Sequence, residues 1–217
     1  MLRYLVLLGA CGAVAHAQDW AAIDRQLAAV RAAVEARDLK TAQDASNALW
    51  QLTAKEWSKA HTPADNLRQA ETIAASNPDA RRTALPHLAL LAVQAGEWEK
   101  AGEYARETLA APSPVIDSVH VGNNVLGLVA LQEGDVAGAE LYLRSAGDAK
   151  GDNLLKRWGP TLALAKALLD KGRKEAVLEY LLACKSFVSD QAKLDSWIAT
   201  LKGGGIPDFA GTYLWSM

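Results

Sequence analysis

Three glycines at one repeated interval constrain this chain more than any other feature. Gly96, Gly134 and Gly172 lie 38 residues apart, and the text around them recurs: LALLAVQAGEWEKAGEYARETL, then LGLVALQEGDVAGAELYLRSA, then LALAKALLDKGRKEAVLEYLLA. In each copy an apolar run with helical spacing ends in a short turn that holds the glycine. A second amphipathic run opens just beyond it. A fixed period of this size, with two helices per unit, predicts an all-α solenoid of stacked helical hairpins. One hairpin cannot bury its apolar face alone, so neighbouring copies must supply the core.

Composition fits closely packed helices. The chain is 50% hydrophobic but only 6% aromatic, and alanine, which loses no side-chain entropy in a helix, lets neighbours approach. A formal charge of −2 gives no electrostatic pull toward nucleic acid or an anionic membrane surface. Nucleic acid is therefore not expected as a partner.

Residues 1–17 read as a secretory signal. Met1-Leu2-Arg3 supplies a positive start, an apolar run continues through Val14, and Ala15-His16-Ala17 offers the small-x-small cleavage site. The run is too short to span a bilayer, which takes roughly 20 residues, so no integral span is expected in the mature chain. A periplasmic or secreted location follows. Leu8-Gly9-Ala10-Cys11 resembles the lipobox of bacterial lipoproteins, which gives the alternative of a lipid anchor on Cys11. Cleavage after Ala17 leaves Cys184 as the only cysteine, so no intramolecular disulfide can form and the fold must rest on packing. Cys184 aligns with Ala146 one copy earlier and reads as a small buried hydrophobe.

Residues 18–80 form a divergent first pair plus an inserted helix. Ile23, Leu27, Val30 and Val34 share one helical face, Arg37-Asp38-Leu39 makes a turn, and a second helix runs from residue 40 to about residue 60. Arg37 falls where the later glycines fall, and Ala42 where Ala101 and Ala139 fall. Arg37 nevertheless lies 59 residues before Gly96, which makes room for the insertion. Thr62-Pro63-Ala64-Asp65 starts that helix and Asn77-Pro78-Asp79 ends it. Trp50 and Trp57 lie on one face and are expected to pack against it. Three repeats occupy residues 81–187. Residues 188–217 hold a capping helix, 189–202, with Leu194, Trp197, Ile198 and Leu201 on its apolar side. Gly203-Gly204-Gly205 stops it, and an apolar aromatic tail follows, either folded back or offered to a partner.

Small residues recur at fixed places in the repeats: Ala89, Gly127 and Ala165 in the first helices, Ala101 and Ala139 in the second, with Val177 in the third copy. Gly96-Glu97 and Gly134-Asp135 add a glycine-acid turn. In these features the copies resemble the tetratricopeptide repeat. Their period exceeds that family's 34 residues, and the extra residues fall in Ala111-Pro112-Ser113-Pro114 and in the loop 147–153. The resemblance implies a right-handed superhelix whose first helices line a concave groove for extended or helical peptides. Carried over by alignment, the groove presents Leu90, Val93 and Gln94, then Asn124, Leu128, Leu131 and Gln132, then Leu162, Lys166 and Leu169. That surface is aliphatic with a few amides, which suits an apolar segment such as the protein's own tail.

His61, His87 and His120 are scattered over three helix starts, and none has a second ligand at metal spacing. No Gly-x-Ser-x-Gly elbow, phosphate loop or dinucleotide fingerprint occurs in the sequence. The expected function is an exported scaffold or adaptor in a bacterial cell envelope, with no catalytic, metal or cofactor site and another protein or peptide as partner. The alternatives are an envelope enzyme with a helical-repeat body acting on cell-wall glycan or peptide, and a lipoprotein assembly factor anchored at Cys11.

Overall fold

The structure, a computed structural model, describes residues 20–38, 40–41, 44–45, 62–75, 77–113, 117–151, 155–156 and 159–209. The described residues form helices and turns, with no strand among them. The chain divides into two compact units, Met1–Thr62 and Pro63–Met217.

In the first unit, α1 (Trp20–Glu35) leaves Leu27 and Val34 exposed while Ala33 is buried. It ends on Arg37, a non-glycine residue held at φ +58°. The Arg37 N–H bonds the Val34 carbonyl at 3.1 Å, and the Asp38 N–H bonds the Ala33 carbonyl at 3.0 Å. Asp38 then accepts from the Thr41 N–H at 3.0 Å and its hydroxyl at 2.6 Å, opening the next helical stretch. The rest of the expected second helix, with Ala42, Trp50 and Trp57, lies outside the described residues, as do residues 1–17.

The second unit contains α2 (Pro63–Ala74), α3 (Pro78–Gln94), α4 (Trp98–Ala110), α5 (Ser118–Gln132), α6 (Val136–Gly147), α7 (Ala163–Asp170), α8 (Lys174–Cys184) and α9 (Gln191–Lys202). The pairs α3–α4, α5–α6 and α7–α8 pack as hairpins. Each hairpin turn uses its glycine in the same way. Gly96, Gly134 and Gly172 sit at φ +74°, +85° and +75°. In each turn the glycine N–H bonds the carbonyl three residues back, and the next N–H bonds the carbonyl five before it, at 2.8 to 3.1 Å. This is the Schellman closure of a helix end, which needs a left-handed residue. Arg37 makes the identical pair of bonds, so the divergent copy keeps the turn without the glycine.

The small positions are where helices touch. Ala89, Ala101, Ala139, Ala165 and Val177 have no exposed surface. At Gly127 an added Cβ would lie 2.2 Å from Leu164 Cδ2, so a side chain there would force the buried Leu164 of α7 to shift. The inserted helix α2 packs on α3 within the second unit, through Leu67 and Ala74. Asn77 caps α3 by accepting the Ala80 N–H, and Pro78 serves as its first residue. Because α3 starts that early, His87 stands in mid-helix and not at a helix start.

Polar pairs tie neighbouring elements at the surface. Glu71 of α2 accepts from Lys100 Nζ at 3.0 Å and Tyr104 OH at 2.7 Å on α4. Burial and that carboxylate push the Tyr104 phenol up to about 12. Glu140 of α6 pairs with Arg173 at the start of α8, while Arg144 of α6 meets Glu179 of α8 at 2.6 Å.

Leu194, Trp197, Ile198 and Leu201 of α9 are all buried, and α9 packs on α8. Asp190 caps it by accepting the Lys193 N–H at 3.0 Å, which sets its start at Gln191. Beyond Gly204 the chain turns back. Pro207 is buried, the Trp197 indole N–H bonds the Asp208 carbonyl at 2.9 Å, and Phe209 stands edge-on to Trp197 at 5.2 Å. The tail therefore begins docked on its own chain, while residues 210–217 lie outside the described residues.

Gly134 and Arg37 make opposite predictions. No atom lies within 4 Å of a Cβ added at Gly134, so Gly134→Ala should lose only the backbone cost of a left-handed residue, roughly 1–2 kcal/mol. Arg37→Gly should relieve that strain and gain about 1 kcal/mol. Urea unfolding followed by circular dichroism measures both, and equal effects in the two variants would contradict a shared turn geometry.

Candidate functional site

Six of the ten groove candidates lie inside the unit. Leu90, Val93, Asn124, Leu128, Leu162 and Leu169 are buried, while Gln94, Gln132 and Lys166 are exposed and Leu131 is half-buried. The physical reason is clearest for α5, which packs on α3, α4, α6 and α7 at once and leaves little free face. Of the candidates that reach solvent, Gln94 lies in the last turn of α3, Leu131 and Gln132 in the last turn of α5, and Lys166 midway along α7. Gln94 and Gln132 hold the same place in successive copies, at the last residue of the first helix.

The buried polar residues make a second constellation that the sequence pattern did not assign. His120 has no exposed surface. Its Nδ1 lies 3.1 Å from the Ala146 carbonyl at the end of α6, and its Nε2 accepts the Thr161 N–H at 2.9 Å. Tyr180 of α8 donates its hydroxyl to the Thr161 carbonyl at 2.8 Å. Thr161 stands two residues before α7, so the two peptide groups that flank this one residue are held, at its N–H and at its carbonyl, by buried side chains of α5 and α8. The His120 ring stacks with Tyr180 at 6.2 Å and meets the Phe187 edge at 6.0 Å. Asn124 donates to the His120 carbonyl at 2.9 Å, and its Oδ1 is buried without a hydrogen-bond partner. The one sequence signal for this cluster is the intrusion of His120, Asn123 and Asn124 into an otherwise apolar helix.

Cys184 and Ala146, one period apart, are both fully buried, as the alignment implies. Burial pushes the Cys184 thiol up to about 12 and holds the Tyr180 phenol well above its ordinary value. Both groups are neutral at physiological pH. Their chemistry here is that of packing and hydrogen bonding.

Among the described residues no group of three or more His, Cys, Asp or Glu side chains is placed to hold a metal ion. No helix among them is long and apolar enough to cross a membrane. In comparison with known proteins, no family model matches the chain, and neither a curated protein nor a solved structure matches it. The described residues thus give packed helical hairpins with one recurring turn, a buried polar clamp, and exposed Gln94, Gln132 and Lys166 on the first helices.

Two measurements follow from the clamp. Tyr180→Phe leaves the buried Thr161 carbonyl without its donor and should cost about 1–3 kcal/mol of stability in urea. Native Cys184 should resist a thiol reagent at pH 8 and react fully in denaturant, because a buried neutral thiol is a poor nucleophile. Rapid labelling of the native protein would contradict the burial.

Proposed function

We propose that the protein is an exported, tetratricopeptide-like scaffold or adaptor of a bacterial cell envelope that binds an apolar or extended peptide segment. The observation that carries this reading is the repetition of one turn and one set of small contact residues through three successive hairpins. Such a stack multiplies a single helical face into a long surface, and peptide capture along a row of helices is a recurring use of it. Residues 1–17 support export, with cleavage after Ala17.

Solvent access narrows the binding surface to Gln94, Leu131, Gln132 and Lys166. Two amides at equivalent places can each pair with a peptide main chain, since a carboxamide both donates and accepts. The half-buried Leu131 beside them gives an apolar contact. A peptide lying across α3, α5 and α7 would then be read chiefly through its backbone and one or two apolar side chains.

Photo-crosslinking in the exporting cell tests the reading. A photoreactive residue at Gln94, Gln132 or Lys166 should give one shared crosslinked partner, whereas the same probe at exposed Leu141 or Glu175 on second helices should give at least tenfold less. Equal yields from both sets, or none from the first, would remove the groove. Truncation after Phe209 should leave the partner bound if the tail is only a cap, and this endpoint spares the Trp197 contacts.

A further inference from the structure

We propose that His120 makes the joint between the second and third hairpins acid-sensitive. This inference rests on the packing of α5, α6, α7 and α8, and stands whether or not the protein binds a peptide.

The hydrogen bonds assign the ring's tautomer. Nε2 faces the Thr161 N–H, a donor, and so must be the acceptor, while Nδ1 carries the proton toward the Ala146 carbonyl. Both nitrogens are satisfied only in the neutral ring. A proton added to Nε2 would set one N–H against another and break the bond to Thr161. The ring is wholly buried, so water cannot solvate the new charge until the joint opens.

Among the described residues, the ionisable groups on the packed elements are neutral, bonded to main-chain N–H groups, or exposed. From α8, Tyr180 and Cys184 are neutral. At the start of α5, the Asp117 carboxylate accepts the His120 main-chain N–H at 3.0 Å and the Gly151 N–H at 3.2 Å. From α6 comes the Ala146 carbonyl, from the turn after α8 the Phe187 ring, and from the stretch before α7 the Thr161 peptide. Lys156 and Lys185, on the neighbouring connections, are exposed.

Opening would release Thr161, and with it the start of α7 and the tight α5–α7 seam at Gly127 and Leu164. Lys166 of α7 would then move relative to Gln132 of α5. The sign follows from which state takes the proton. An imidazole in the open joint binds a proton near pH 6.5, and the closed joint excludes it. Closure is therefore complete above that range and weakens as pH falls below it. If the closed state takes up none, the open-to-closed ratio rises on the order of thirtyfold between pH 7.5 and 5.0.

Hydrogen exchange on the full chain reads this out. Protection of the Thr161 amide and of α7, corrected for intrinsic exchange, should fall up to about thirtyfold between pH 7.5 and 5.0 in the wild type. His120→Gln keeps a donor and an acceptor but cannot titrate, so its protection should be flat over the same range. A pH-independent wild type, or an equal fall in the glutamine variant, overturns the proposal. Should that variant fail to fold, nitrogen NMR of the wild-type imidazole decides. Nε2 must remain an acceptor wherever Thr161 is protected, and a ring that protonates beneath a protected Thr161 overturns the proposal equally.

Discussion

Each hairpin depends on a residue that can hold positive φ directly beyond its first helix. Only from that conformation can two successive N–H groups turn back onto the last carbonyls and let the chain reverse within a few residues. The short reversal fixes how far apart the two helices of a pair can stand. It also brings Ala89 and Ala101, or Ala165 and Val177, into one buried layer. Glycine takes this conformation at no steric cost, and the open space around Gly96, Gly134 and Gly172 shows that backbone freedom, not tight packing, selects it there. Arg37 separates cause from consequence: it adopts the same φ and the same two bonds while carrying a side chain. The turn is a demand of the hairpin.

Between hairpins a different constraint acts. Where a hairpin turn asks for backbone freedom, the seam between α5 and α7 asks for absent volume, and Gly127 meets it by yielding its Cβ position to Leu164. The same closeness buries α5 from several sides. That burial turns Asn124 and Leu128, equivalent in alignment to surface-lining residues of a peptide groove, into interior residues. Of the residues aligned with that groove, Gln94, Gln132 and Lys166 are the ones left exposed.

The hairpin architecture was legible because its requirements leave chemical traces. Positive φ selects glycine, close approach selects alanine or glycine, and the apolar face of α9 announces itself at helical spacing in Leu194, Trp197, Ile198 and Leu201. Arg37 was legible only by alignment, since its residue type argues against its conformation. The accessible surface was not legible in the same way. Whether Leu90 or Leu162 faces a ligand or a neighbouring helix depends on how closely successive hairpins stack, and an apolar residue suits either. The clamp on Thr161 left still less trace, because it joins side chains to main-chain groups 26 residues away at Ala146 and 41 residues away at Thr161. Backbone carbonyls and N–H groups carry no sequence identity, so no pattern could pair them with His120.

The ends of the repeated region show why material outside the repeats is needed. A hairpin at either end has one apolar face with no following copy to cover it. At one end α2 covers α3 and reaches α4 through Glu71, whose carboxylate takes both Lys100 and Tyr104. At the other end α9 covers α8, and the chain after it returns as far as Phe209. A directed bond from the Trp197 indole to the Asp208 carbonyl and the crossing of two aromatic rings help to hold that return. An indole suits the place because it buries a large apolar surface and still needs an acceptor for its N–H. The docked tail supplies both, so the same residue that closes the array also fixes the direction in which the tail leaves it.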